Sequence, residues 1–157
     1  MRKHIRAVAI IIKDSQVLLM KRNRFGEKYN VFPGGGVENN ETVEEAVLRE
    51  VMEETTLEVK IDKLLYHHHY PEDSDQYFYL CSHISGTPQL GDGNEKESMD
   101  KKTGDYYEPM WVEVDALKDM LVYPLEIRDW LLKDIKDNFK NTPRKAIIDI
   151  KDLRRTL

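Results

Sequence analysis

A chain of 157 residues and 18.5 kDa, 40% hydrophobic and 34% charged, has the length of one compact domain with enough apolar material for a core, which excludes long disorder. No apolar run approaches the roughly eighteen residues of a membrane span, and the single cysteine, Cys81, excludes an internal disulfide and a cysteine-built metal site. The net charge of −5 conceals a concentration of acid: residues 38–58 hold eight glutamates (38, 41, 44, 45, 50, 53, 54 and 58) against Arg49 alone, so that segment carries −7 and the remaining 136 residues +2.

The start, Met1-Arg2-Lys3-His4-Ile5-Arg6, is basic like a signal peptide, but the apolar run of residues 7–12 is too short for one, and a first strand is predicted instead. Residues 4–13 and 16–22 are aliphatic runs parted by the polar turn Lys13-Asp14-Ser15, which predicts a hairpin of buried strands. A third short strand over residues 29–32 is halted by Pro33 and is expected to open into a loop at Gly34-Gly35-Gly36, where backbone can take positive φ and approach a ligand closely. Thr42-Val43-Glu44-Glu45 fits a capping box and predicts a helix over residues 43–55, its N-terminus facing the glycine loop.

Residues 57–70, 76–84 and 106–114 read as further strands, and residues 115–121 and 124–138 as helices. Residues 85–104 are polar, glycine-bearing and aperiodic, and are expected to form one long loop. The expected organisation is a single domain over residues 1–140 followed by a basic C-terminal tail over residues 141–157, packed on it or extending from it, with residues 146–150 docking weakly.

On a helical wheel Glu53, Glu50 and Glu54 fall at roughly 280°, 340° and 20° from Val43, so three carboxylates share one arc. Val47, Val51, Leu48 and Met52 are predicted to form the apolar stripe beside it. Like charges at these spacings repel, and more so where water is partly removed; a divalent ion would remove the conflict. Oxygen ligands without histidine or thiol suit Mg²⁺, with Mn²⁺ as a substitute, and Mg²⁺ commonly shares its remaining sites with phosphates.

Gly35, five residues to Glu41, then seven to Arg49-Glu50-Val51-Met52-Glu53-Glu54-Thr55-Thr56-Leu57, resembles the signature of the Nudix hydrolases, G-x5-E-x7-R-E-U-x-E-E-x-G-U, at eight of nine defined positions. The exception is Thr56, where the family usually has glycine; if that glycine supplies a left-handed helix exit, threonine there is strained. The flanking segments of residues 17–22 and 111–114 agree with the family as well, and roughly residues 5–135 fit.

The resemblance implies an α/β fold, the Nudix-type α/β/α sandwich around a mixed β-sheet, and Mg²⁺-dependent hydrolysis of the pyrophosphate bond in a nucleoside diphosphate linked to another group. It implies Glu50, Glu53 and Glu54 as metal ligands, Arg49 as an orienting residue and Glu41 as a support. Glu53 and Glu108 are the candidate general bases, with Glu108 weighed against an idle surface acid. Gly34, Gly35 and Gly36 are expected to position backbone against substrate, and Arg22, ahead of Arg24 and Lys28, to hold phosphate oxygens. The leading substrate is a nucleoside triphosphate, oxidised ones included, giving the monophosphate and pyrophosphate. The first alternative is ADP-ribose or another nucleotide sugar, for which Pro71 is a slender pointer and the lack of an added N-terminal domain a contrary one. The second is a non-catalytic nucleotide sensor. A small nucleotide is the expected partner, with no stable nucleic-acid partner and no membrane; a homodimer is left open, and the cytoplasm is the expected location.

Three other features have plainer roles open to them. In His67-His68-His69, strand alternation turns the middle ring away from its neighbours, and three adjacent histidines chelate poorly without further ligands. Tyr66, Tyr70, Tyr77, Tyr79, Tyr106 and Tyr107 offer faces for a base, yet tyrosines in strands more often pack. Residues 133–157 carry eight basic and four acidic side chains, a weak patch for nucleic acid.

Overall fold

A computed structural model describes residues 4–89 and 106–149. The continuous apolar runs become the centre of one nine-stranded sheet: β1 (His4–Lys13), β2 (Gln16–Arg24), β3 (Glu27–Val31), β4 (Gly34–Gly36), β5 (Glu58–Tyr70), β6 (Ser74–Ser85), β7 (Tyr106–Glu113), β8 (Val122–Tyr123) and β9 (Arg144–Ile147). The order is β8-β3-β2-β1-β6-β5-β9, with β4 also pairing β1 and β7 also pairing β2. The pairs β1/β6, β3/β8 and β5/β9 are parallel and the others antiparallel, so the sheet is mixed, as expected.

Strands covered on both faces need no polar alternation, which is why residues 7–11 and 17–20 are buried throughout. One face packs Ala7, Ala9, Ile11 and Leu18 against Ala46, Val47 and Val51 of helix α1 (Val43–Thr55). The other packs Val8, Ile10, Val17 and Leu19 against Leu117 of a short 3-10 helix (Val114–Asp119) and Ile127 and Leu131 of helix α2 (Leu125–Lys136). Helices thus cover both faces of the sheet, the α/β/α arrangement expected from the sequence.

Helix α1 starts where the capping box places it: Glu45 N–H donates to Thr42 Oγ1 at 3.0 Å, and Thr42 N–H donates to Glu45 Oε1 at 3.1 Å. Its exit is left-handed, with Thr56 at φ 63°, ψ 9° and its N–H donating to the Met52 carbonyl. The threonine therefore sits in the conformation for which the family's glycine is suited.

Four expectations need correction. The glycines do not open into a loop but form β4, in register with Arg6, Ala7 and Val8 of β1. Leu48 and Met52 are exposed rather than core; the buried side of α1 is centred on Val47, Val51 and Glu54, because the helix leans its acidic border into the sheet. The helix expected over residues 115–121 is a single 3-10 stretch. The docking segment of the tail starts earlier than residue 146: Arg144–Ile147 runs parallel to β5 and Ile148 N–H donates to the His69 carbonyl at 2.7 Å, so residues 146–148 dock as expected, while residue 150 lies outside the described residues. Of the expected loop, residues 86–89 are described as coil, Gln89 N–H donating to the Thr55 carbonyl at 3.0 Å; residues 90–105 lie outside.

The strand β9 is fixed by a buried ion pair. Asp134 of α2, fully buried, accepts from Arg144 Nη2 at 2.5 Å, from Arg144 Nε at 2.9 Å and from the Tyr66 hydroxyl at 2.8 Å. Burial by itself would raise the Asp134 carboxyl, but the hydrogen bonds from Arg144 and Tyr66 outweigh it and hold the group below its ordinary value. Part of the basic surplus of the tail is thus committed to an internal carboxylate.

Candidate active site

Helix α1 lies along β4 through its second half. Gly34 N–H donates to Glu54 Oε2 at 3.3 Å, a Cβ on Gly35 would stand 2.4 Å from the Glu50 carboxylate, and Arg49 Nη2 donates to the Gly36 carbonyl at 3.0 Å. The expected approach of the helix N-terminus to the glycines is therefore wrong: that end is closed by its own capping box, and residues 49–54 oppose the strand. Nor is positive φ the reason for glycine here. At Gly34 a Cβ would meet the Ala7 carbonyl at 2.5 Å, and at Gly35 the Glu50 carboxylate, so the requirement is room.

Arg49 organises the acids. It donates to both oxygens of Glu41, at 2.7 and 2.9 Å, to Glu50 Oε1 at 2.9 Å and to Glu53 Oε2 at 3.3 Å, with Glu38 at 3.8 Å. Hydrogen bonding from Arg49 holds the Glu41 carboxyl below its usual value, against a smaller opposing effect of burial. The same bond, followed by that to Glu50, keeps Arg49 firmly charged. Glu54 is 3% exposed and Glu53 is 46% exposed at the side chain, so one acid lies inside the wall and the other at its lip.

Glu50, Glu53 and Glu54 all face a cleft of about 590 Å³. Five carboxylates around or beside one guanidinium leave an excess of negative charge, and the donors offered by α1 are oxygens alone, which suits a hard divalent cation. Glu50 and Glu53 stand engaged by Arg49, and the three carboxylates are not gathered onto one point. Among the described residues the three metal-capable side chains with donor atoms mutually within 4.8 Å are His67, His69 and Asp75.

The same cleft is lined by Arg22, Tyr107 and Tyr123, and by Arg6, Gln76 and Phe78 of β1 and β6. Arg22 donates to the Tyr107 hydroxyl, and its Cζ lies 4.0 Å from the Tyr107 ring centre and 5.4 Å from that of Tyr29. The Arg22 Nε is buried with no hydrogen-bond partner among the described residues. Arg22 and all three glycines line the cleft, as the sequence led us to expect; Arg24 and Lys28 do not.

Glu108 is the candidate that the structure does not bring in. On β7 it is in register with Lys21, while Tyr107 is in register with Arg22. Side chains alternate, so if Tyr107 and Arg22 face the cleft their neighbours Glu108 and Lys21 face away, and Glu108 is exposed. Pro71, in the turn after β5, is also absent from the cleft lining. Arg6, Gln76 and Tyr123 were missed. The parallel register places Arg6 beside Gln76 and the antiparallel one places it beside Gly36, relations that become visible only once β1 is known to sit between β4 and β6.

The structure is an α/β domain with a mixed sheet between helices and an acidic helix face set against a glycine strand. The model of the NUDIX domain matches residues 3–131, and the chain belongs to the Nudix hydrolase family. A relative named ADP-ribose pyrophosphatase from Methanocaldococcus jannaschii is 40% identical over 101 residues, 63% of this chain and 58% of its own length; the chain thus spans little more than half of that protein. The oxidized purine nucleoside triphosphate hydrolase of Mus musculus is 29% identical, over 74% of this chain and 70% of its own length. A putative 8-oxo-dGTP diphosphatase of Bacillus subtilis is 28% identical, over 93% of this chain and 86% of its own. Among solved structures, a Nitrosomonas europaea NUDIX hydrolase superposes with a TM-score of 0.67 at 18% identity, covering 94% of this chain and 80% of the other, a likeness of fold.

Proposed function

We propose that the protein hydrolyses the pyrophosphate linkage of a nucleoside diphosphate bonded to a further group, with Mg²⁺ as cofactor and a nucleoside triphosphate as the leading substrate. The observation that carries this reading is that Glu50, Glu53 and Glu54 line one cleft together with Arg22 and Tyr107. A phosphate chain needs cations on both sides, and a base needs a flat apolar surface; the cleft offers acid for metal, guanidinium for phosphate and rings for a base.

Each residue then has a defined task. Glu54 and Glu50 supply ligand oxygens from the wall, the first fixed by Gly34 N–H and the second by Arg49. Glu53, at the lip, is the acid with access to solvent, and it is the general base of this proposal now that Glu108 faces away. Arg49 and Glu41 hold the helix acids in place without reaching substrate. Arg22, in the cleft lining, offers its guanidinium to a phosphate oxygen. Glu50, Glu53 and Glu54 would hold a divalent ion, which when bound would supply charge neutralisation for the phosphate oxygens and polarisation of the attacking water.

The named relatives point both to triphosphates and to ADP-ribose. The M. jannaschii relative, at 40% identity, favours the second reading, nucleotide-sugar hydrolysis. Product analysis across a nucleotide panel with Mg²⁺ distinguishes them: monophosphate plus pyrophosphate supports the triphosphate reading, and nucleoside monophosphate plus sugar phosphate supports the other. Binding without turnover of any member refutes both and leaves a sensor. Glu53→Gln and Glu54→Gln should each lower kcat by about a hundredfold or more if charge held at the wall is the main contribution; unchanged rates in both refute the assignment. No helix among the described residues is long and apolar enough to cross a membrane, and a cytoplasmic location belongs to the same proposal.

A further inference from the structure

Three adjacent histidines are poor chelators because strand geometry sends the middle one to the other face. Here His68 turns into the core, flanked by Phe78 and Trp130, with its Nε2 3.0 Å from Glu126 Oε1. His67 and His69 share the opposite face, and β6 brings them what the triplet lacked. Asp75, paired in register with His69, is 2% exposed, and its Oδ1 lies 2.6 Å from His67 Nε2 and 2.9 Å from His69 Nδ1.

We propose that His67, His69 and Asp75 form a second metal site, selective for a borderline transition ion of the zinc type. All three donor atoms lie within 4.8 Å of one another. Around a tetrahedral zinc with bonds near 2.0–2.1 Å, donors sit about 3.3 Å apart, so the separations of Asp75 Oδ1 from the two ring nitrogens, 2.6 and 2.9 Å, need to open by about 0.4–0.7 Å and that between the two nitrogens to close by no more than about 1.5 Å, within the play of the two partly exposed imidazole rings. The partners supply the rigidity that a surface pair would lack. Asp75 is buried, and His67 is stacked on Tyr77 at 4.3 Å and 15°. Both strands are fixed, since β6 pairs with β1 along nine positions from His4↔Ser74 to Ile12↔Ser82.

Two imidazoles and one carboxylate rank metals differently from the carboxylate wall of the cleft: nitrogen donors favour zinc, copper or nickel and discount Mg²⁺. The two sites are also distinct. Gln76 lines the cleft, whereas its neighbours Asp75 and Tyr77 project to the other face of β6, and none of His67, His69 and Asp75 is in the cleft lining. An ion there ties β5 to β6 beside the turn at residues 71–73 and takes no part in the chemistry of the cleft. The inference is independent of the substrate reading.

The test is zinc binding to the intact protein in millimolar Mg²⁺, which occupies the carboxylate wall. One zinc per chain retained against a competing chelator indicator is expected, with the imidazole NMR signals of His67 and His69 shifting on addition while that of buried His68 stays. His69→Gln and Asp75→Asn should each weaken zinc binding by tenfold or more, with unchanged circular dichroism and unchanged Mg²⁺-dependent activity. Wild-type protein that retains no zinc in Mg²⁺ overturns the proposal. So does zinc binding undiminished in both variants, or zinc that leaves the His67 and His69 signals unmoved.

Discussion

The glycine at position 35 touches the proposed chemistry through a single group, and that makes it a sharp test. A Cβ added there would lie 2.4 Å from both the Cδ and one oxygen of Glu50, whereas ordinary contact begins at 3.4 Å. The carboxylate must therefore retreat by about 1 Å. The clash is with the far end of a flexible side chain, and Gly35 does not occupy the left-handed region, so the fold should tolerate alanine with little loss of stability. Function should not: a displacement of about 1 Å in a group that positions reactants costs on the order of a hundredfold in rate. Gly36 is the internal control, because a Cβ there meets nothing within 4 Å. We expect Gly35→Ala to lower kcat by about a hundredfold with a melting temperature close to wild type, and Gly36→Ala to stay within a few-fold, measured by steady-state pyrophosphate release at saturating Mg²⁺. A folded Gly35→Ala enzyme with wild-type kcat would refute the claim that Glu50 is held in a working position by the absence of a side chain.

Thr56→Gly should raise stability by about 1 kcal/mol, because a β-branched residue in the left-handed region is relieved at the cost of a 3.3 Å hydroxyl bond to the Thr87 carbonyl; a lowered or unchanged denaturation midpoint would contradict this. Arg144→Ala leaves the buried Asp134 carboxylate with the Tyr66 hydroxyl alone and should cost about 3 kcal/mol in urea titration, so a loss below about 1 kcal/mol would show that β9 is not anchored by this pair. Acid sensitivity follows from the lowered carboxyls of Asp134 and Glu41. Their stabilisation is fully present above the unfolded values near 4 and is lost as pH falls through the lower folded ones, so the unfolding free energy should drop steadily below about pH 4. Glu41→Gln should reduce that slope, and an identical acid limb in the variant would remove Glu41 from the explanation.

The glutamate spacing on α1 was legible because helical periodicity is local: Glu50, Glu53 and Glu54 fall on one arc in any helix that spans them, and the capping box fixed where that helix begins. The buried runs of β1 and β2 were legible for a similar reason, as short-range hydrophobic pattern. What the pattern could not fix was which way the arc leaned. Leu48 and Met52 look as apolar as Val47 and Val51, yet the packing of α1 on Ala7, Ala9 and Ile11 exposes the first pair and buries Glu54.

The amino-acid order therefore determined the chemistry on offer: a helix bearing three carboxylates on one arc, three successive glycines, an arginine in β2 and a histidine triplet. Tertiary structure alone decided which of these meet. Strand register put Arg22 with Tyr107 and turned Glu108 away, set Arg6 between Gly36 and Gln76, and carried Asp75 to His67 and His69. Pairing between strands far apart in sequence depends on burial summed over the whole sheet, and a shift of one residue exchanges its faces, so no local segment contains that information.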